Sequence, residues 1–301
     1  MKNRSRAIVY LALAAILPAA PAAAQDADEG VVVSATRTER RSLEIPASID
    51  AVGAETLREG KPKVNLSESL GRVPGLSLQN RLNYAQDLQL SIRGFGARSA
   101  FGIRGVKLYA DGIPATMPDG QGQAANFDLS TAQRIEVMRG PLAALYGNAS
   151  GGVVNLFTAD GPKRPTLSGD LLAGAYGTRR IGMQAGGESG ALNYIGDWSQ
   201  FHTDGYRDHS SADRQQFNGK LKWPAGEDTR VTLVMNTLYM PDVQDPAGLT
   251  AAQASDNPRQ VDPDMILFNT RETVRQEQTG VTVDHRLGAE DHLRASVYAG
   301  D

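Results

Sequence analysis

From residue 167 onward, apolar and polar positions alternate with period two. Between residues 215 and 223, Phe217, Gly219, Leu221 and Trp223 fall on one face and Asn218, Lys220 and Lys222 on the other. Between 192 and 200, Leu192, Tyr194, Gly196 and Trp198 share a face. Asn193, Asp197 and Ser199 oppose them, and Ile195 breaks the pattern. Near the end of the chain Leu293, Ala295, Val297 and Ala299 alternate with Arg294, Ser296 and Tyr298. Such alternation predicts strands with one apolar face. Seven segments carry it: 167–176, 179–187, 192–202, 214–223, 230–240, 270–287 and 292–300. Stretches of roughly 10 residues with aromatic residues near their ends match membrane-crossing strands. Strands of soluble sandwiches usually run to only about 5–6 residues. Turns are expected at 187–190 and 225–228. Residues 241–269, polar and rich in Asp, Pro and Gln, read as an outward loop.

Residues 45–160 follow a different rhythm of short strands, short helices and glycine turns. An alternating run at 135–138 ends at Arg139, Gly140 and Pro141. A helical piece at 142–146 stops after Tyr146 at Gly147, and Gly151 and Gly152 lead into a strand at 152–157 that contains Asn155. Proline stands where a first helical turn accepts it, and glycine where the chain must take positive φ. Upstream, Ser67 is expected to open a short helix with Leu66, Leu70 and Val73 on one side, ended by Pro74 and Gly75. A strand at 87–92 runs into Arg93 and Gly94, and one at 106–110 runs into the Asp111–Gly112 turn. Residues 161–166 form a proline-containing connector.

Composition narrows the class. The 301 residues include 32 Gly and no Cys, with a net charge of −3. No disulfide framework or cysteine-held metal is available. No run of 18 apolar residues marks a membrane helix. Residues 1–24 read as a secretory signal. Lys2, Arg4 and Arg6 form its basic start, 7–17 its apolar core, and Ala22–Ala24 its small-residue end. Removing those three basic residues takes −3 to about −6, which disfavours nucleic-acid binding.

The ordered motifs at 66–78, 87–96, 106–114 and 133–155 resemble the plug domain of TonB-dependent outer-membrane receptors, over residues 45–160. The resemblance implies a small mixed α/β plug followed by antiparallel transmembrane β-barrel strands over 161–301. A plugged barrel of this kind has about 22 strands, so the seven segments imply a partial barrel, either a shortened gene product or part of a longer chain. Arg93, Arg134, Glu136 and Arg139 are the charged motif residues, able to pair with a polar barrel wall or to hold the plug's own fold. Residues 25–44 are a flexible segment. Within it Glu29, Gly30, Val31, Val32, Val33, Ser34 and Ala35 resemble the TonB box, which would add an extended strand to TonB by edge pairing. Only residues 25–28 stand between the signal and the box, so an added signalling domain is not expected there.

The implied function is import of a ferric siderophore-type chelate, energised through TonB and its inner-membrane complex, from an outer membrane whose lipid is a further partner. The plug loops at 95–104 and 113–127 resemble those of the ferric-citrate-like branch. Arg98 and Arg104 would meet an anionic chelate. Gln121, Gln123 and Asn126 would supply hydrogen bonds, and Phe101 and Met117 apolar contact. Cobalamin, haem, nickel chelate or oligosaccharide are alternative cargoes, and a non-transporting fragment is a further alternative. No catalytic constellation is present, so no enzyme activity and no resident cofactor are expected. His202, His209, His285 and His292 lack metal-ligand spacing, and Asp242, Asp245, Asp262 and Asp264 lack calcium-loop spacing.

Overall fold

The computed structural model describes residues 32–33, 40–41, 48–79, 82–99, 102–117, 119–140, 143–147, 149–288 and 291–301. The expected signal segment and most of the expected TonB box lie outside them. Of the box, Val32 and Val33 form strand β1 (Val32–Val33), paired antiparallel with β2 (Arg40–Arg41).

The α/β region follows in chain order. It comprises β3 (Ser48–Gly53), α1 (Ala54–Arg58), α2 (Ser67–Leu70), β4 (Leu76–Gln79) and β5 (Gln89–Ile92). Next come β6 (Val106–Ala110), β7 (Ile113–Pro114), β8 (Ala132–Arg139), α3 (Ala143–Tyr146) and β9 (Gly152–Thr158). Five strands form one sheet in the order β3-β8-β9-β6-β7. Strands β6 and β9 are parallel and the other neighbours antiparallel, while β4 and β5 make a separate hairpin. Period two puts Leu108, Ile135, Val137 and Val154 on one face. There they close a core with Leu57, Leu66, Leu70, Leu90 and Ile92 from the helices and hairpin. Tyr109, Met138 and Val153 point to the other face, where they pack with Tyr146.

Two turns depend on their residue types. Asp111 and Gly112 both take positive φ, +51° and +84°, as a tight hairpin turn between β6 and β7 demands. Gly152 has φ +142°, and a Cβ there would stand 2.2 Å from the Met138 carbonyl oxygen, so only glycine lets β9 enter beside β8.

The short helix opens at Ser67 as expected, and the support for its start comes from a neighbouring side chain. Leu66, in helical conformation, occupies the cap position of α2, and no side chain caps it. The Glu68 carboxylate instead accepts the N–H groups of Lys63 (2.7 Å), Val64 (3.1 Å) and Asn65 (2.8 Å). Its longer side chain reaches back over the preceding turn, where a negative charge also suits the helix dipole. Burial pushes the Glu68 carboxyl above the ordinary glutamate range, against the pull of these three bonds.

The remaining strands form one antiparallel sheet in sequence order: β10 (Thr166–Ala173), β11 (Arg179–Ser189), β12 (Leu192–Thr203), β13 (Ala212–Pro224), β14 (Thr229–Gln244), β15 (Arg271–Arg286) and β16 (His292–Gly300). All seven predicted segments are strands. The turn expected at 187–190 is shorter, because β11 runs on to Ser189. The 241–269 stretch is more regular than expected. β14 continues to Gln244, and α4 (Ala251–Asp256) and α5 (Pro263–Leu267) follow. Their signals are local: Thr250 and Gln253 form a capping box, and Asp262 caps a helix whose first residue is Pro263.

The sheet inverts the arrangement of a soluble protein. Asn218, Lys220, Gln216 and Arg214 are buried against the α/β region. Leu171 (81% exposed), Val297 (78%), Met183 (52%) and Trp198 (39%) project from the opposite face. Among the described residues no helix is long and apolar enough to cross a membrane. An apolar outer face with a polar inner face is the pattern of strands that face lipid.

Candidate functional site

The polar inner face of β11–β14 meets the α/β region mostly at backbone atoms. Along β13, alternate residues Arg214, Gln216, Asn218 and Lys220 reach inward in sequence. Arg214 donates to the Ala125 carbonyl (2.5 Å) and Gln216 to that of Asn126 (2.8 Å). Asn218 donates to the Thr131 hydroxyl (3.0 Å) and Lys220 to the Thr158 carbonyl (2.5 Å). From β14, Asn236 also donates to the Asn126 carbonyl (3.0 Å). Arg180 of β11 bridges Asp170 (2.7 Å) and the Ser130 hydroxyl (2.5 Å), and Lys63 pairs with Asp170 from the other side (2.9 Å).

The connector is clamped too. Asp160 takes Lys220 (2.8 Å) and Lys222 (2.6 Å), and Asn193 exchanges two bonds of 2.8 Å with the Gly161 backbone. Burial pushes the Asp160 carboxyl up, but the two lysines more than offset that, so it lies below the ordinary aspartate range.

Apolar contact closes part of the seam. The Tyr84 ring packs against that of Phe201 with centroids 5.3 Å apart and planes tilted by 56°, and Ala85 packs with Leu238, Met240 and Val243. At Gly280 of β15 an added Cβ would lie 2.2 Å from the Ile113 side chain, so glycine lets the two regions approach.

The seam opens at one end into a cleft of about 480 Å³. It is lined by Ala85, Gln86, Asp87, Gln121 and Gln123 from the α/β region, and by Asp245, Thr270, Arg271 and Glu272 from the strand ends. The Asp245 carboxylate receives Asn83 and Gln86, each at 2.6 Å, and the Ala247 N–H at 2.8 Å. Arg271 faces Asp242 at 3.4 Å. The sequence reading named Asp245 only for its lack of calcium-loop spacing and did not single out Asn83 or Gln86. Its place at the end of a long alternating strand was the available signal.

The predicted ligand residues divide. Gln121 and Gln123 line the cleft. Arg104 pairs with Asp119 (3.3 Å) and donates to Gln121 (3.1 Å). Arg98 and Met117 are exposed, and Phe101 lies outside the described residues. Asn126 is 2% exposed beneath the wall, its carbonyl held by Gln216 and Asn236.

The motif residues build the α/β region itself. Arg134 donates to Glu136 (2.7 Å) and lies over the Phe157 ring. Arg139 binds Asp50 and the Pro74 carbonyl (2.6 Å), tying β8 to β3 and to the end of the α2 turn. Arg93, at φ +49°, donates its N–H to the Gly75 carbonyl (2.8 Å), and Gly94 follows at +88°. Asp111 accepts the Thr158 N–H (2.9 Å), and Gly140 donates its N–H to the Gly151 carbonyl (3.1 Å). Gly147 ends α3 at φ +67°, and Asn155 sits in β9 opposite Glu136. Pro141 lies outside the described residues. Among the described residues no histidine or carboxylate group is arranged to hold a metal ion. His202 instead faces Asp213 (2.9 Å) and His285 faces the Thr229 hydroxyl (2.9 Å).

Comparison with known proteins agrees with this geometry. Residues 41–153 match the family model of the TonB-dependent receptor plug domain. A hemin receptor of Yersinia enterocolitica is 35% identical over 133 residues, 43% of this chain and 18% of that protein. The siderophore receptor PirA from Acinetobacter baumannii has the same fold, with a TM-score of 0.63 at 18% identity over 84% of this chain and 39% of that one. So does the unliganded ferric citrate transporter FecA, with a TM-score of 0.67 at 19% identity over 85% of this chain and 40% of that one. The chain thus spans less than half the length of these relatives.

Proposed function

From a chain that carries a TonB-dependent receptor plug and the strands that enclose it, we propose the plug and first wall of an outer-membrane receptor that imports a ferric chelate. The observation that carries the reading is the seam. A wall with an apolar outer face grips the plug through polar bonds to its backbone, and the cleft lies where plug and strand ends meet. Such bonds hold the plug while leaving water able to replace them when it moves. The outer face would meet lipid, and the cleft would receive the chelate beside Gln121 and Gln123.

Transport then needs a pull from the periplasm. Residues 29–35 supply it by adding an extended strand to TonB. Substrate in the cleft shifts the plug toward the state in which the box is available, and force on the box remodels the plug. Deleting residues 29–35 in cells that carry the gene is expected to abolish uptake while surface binding of the chelate persists. Equal loss of binding would count against the reading.

The hemin receptor relative favours haem as the second cargo. Equilibrium binding of a ferric hydroxycarboxylate chelate against haem separates the two.

A further inference from the structure

The long loop between β14 and β15 and the plug segment at 83–87 share one carboxylate. Asp245 Oδ1 accepts both Asn83 Nδ2 (2.6 Å) and the Ala247 N–H (2.8 Å), and Oδ2 accepts Gln86 Nε2 (2.6 Å). Its backbone closes the loop base as well: its N–H donates to the Thr270 carbonyl (3.0 Å) and its carbonyl accepts the Thr270 hydroxyl (2.8 Å). Ala247 sits at φ +52°, a conformation that alanine adopts only at a cost. Asp245 and Arg207 hold it there, the latter through the carbonyls of Pro246, Ala247 and Gln260. Such strain persists only where the surroundings over-determine it, and it clusters at ligand clamps and switch regions. Gln86 and Asp245 also line the cleft.

We propose that Asp245 is a latch between the outer loop and the plug, and that a ligand donating N–H or O–H groups opens it by taking the carboxylate from Asn83 and Gln86. The inference rests on the reading of the cleft as the ligand site and adds how occupancy is passed on. The released segment leads directly into β5, whose Leu90 and Ile92 belong to the plug core. Ala85 stays packed on Leu238 and Met240, so the opening is local. Asp245 acts here as a positioning residue.

Hydrogen–deuterium exchange on the full chain in detergent, with no ligand, tests the latch apart from transport. Asp245→Ala is expected to speed exchange at residues 83–88 and 246–250 roughly ten- to hundredfold while β8 and β9 keep their protection. Asn83→Ala combined with Gln86→Ala is expected to speed only 83–88, and it serves where Asp245→Ala fails to fold. Spermidine, an amine donor, should loosen 83–88 in the parent chain and have no further effect in the double variant, while sulfate, which has no donor, leaves the parent unchanged. Unaltered exchange at 83–88 in either variant overturns the latch, as does a rise spread equally over β8 and β9. Equal action of spermidine and sulfate overturns the opening step. Uptake that persists after deletion of 29–35 would overturn the transport reading and leave all these results unmoved, so the two readings fail separately.

Discussion

The plug's own core and its seam with the wall are both buried, but they are built from opposite materials. Inside the plug, Leu57, Leu70, Leu108, Ile135 and Val154 interlock with almost no exposure. At the seam, Arg180, Arg214, Gln216, Asn218 and Lys220 reach across to carbonyl and hydroxyl groups. Apolar burial is lost only by exposing surface to water, at about 25 cal/mol per Å². A hydrogen bond exchanged for one with water changes free energy by only about 0.5–1.5 kcal/mol. The core therefore resists exposure to water, whereas each seam bond can be exchanged for one with water at small cost.

The largest expected effect falls on the core side of this contrast. Leu108→Ala removes a fully buried side chain between the sheet and the β4–β5 hairpin. It should lower plug stability by about 2–5 kcal/mol, read as an earlier loss of plug protection in urea with the wall's β-sheet circular dichroism unchanged. A shift no larger than that of a seam variant would erase the distinction between the two regions.

On the seam side, Lys220→Met takes away the donor to the Thr158 carbonyl and one partner of Asp160, from a position 6% exposed. The cost is about 1–3 kcal/mol, because the Thr158 carbonyl is left without its bond. It should appear as easier proteolysis at residues 158–165 while the plug's own unfolding midpoint holds. A fall in that midpoint equal to that of Leu108→Ala would mean that plug and wall fold as one unit.

How much of this contrast was legible in the sequence depends on the kind of interaction. The strands were, since period-two alternation shows directly which residues share a face, and Asn218, Lys220 and Lys222 were placed opposite Phe217 and Trp223. The plug was legible through its ordered motifs and through turns such as Asp111–Gly112 that only certain residues can make. The seam was not. Nothing local says that Gln216 finds the Asn126 carbonyl 90 residues away, or that Asn126 is covered rather than open to a ligand. The α2 start shows the same limit at short range: Ser67 opens the helix as read, but nothing local says that Glu68 reaches back to the N–H groups of residues 63–65. The α4 and α5 helices carried readable caps, but a polar loop composition masked them.

The smallest expected effect sharpens the comparison through pH. The Asp160 carboxyl lies below the ordinary aspartate range because Lys220 and Lys222 outweigh its burial. A depressed carboxyl lends stability that is fully present above its unfolded pKa and fades as pH falls through the folded value. Glu68 has the opposite sign. Its raised carboxyl lends stability below the ordinary glutamate pKa and loses it as pH rises through the raised value. Acidification should therefore loosen the connector clamp while easing the strain of the buried Glu68 charge inside the plug. Asp160 is about half exposed, so solvent screening holds its share to a fraction of about 1 kcal/mol. Exchange at residues 159–161 should rise as the pH drops below the aspartate range, while residues 63–70 become more protected. Asp160→Asn should remove the first response and leave the second. If both segments loosened together on acidification, the plug and its seam would share one electrostatic fate, and the division between a core that stays and a seam that releases would not hold.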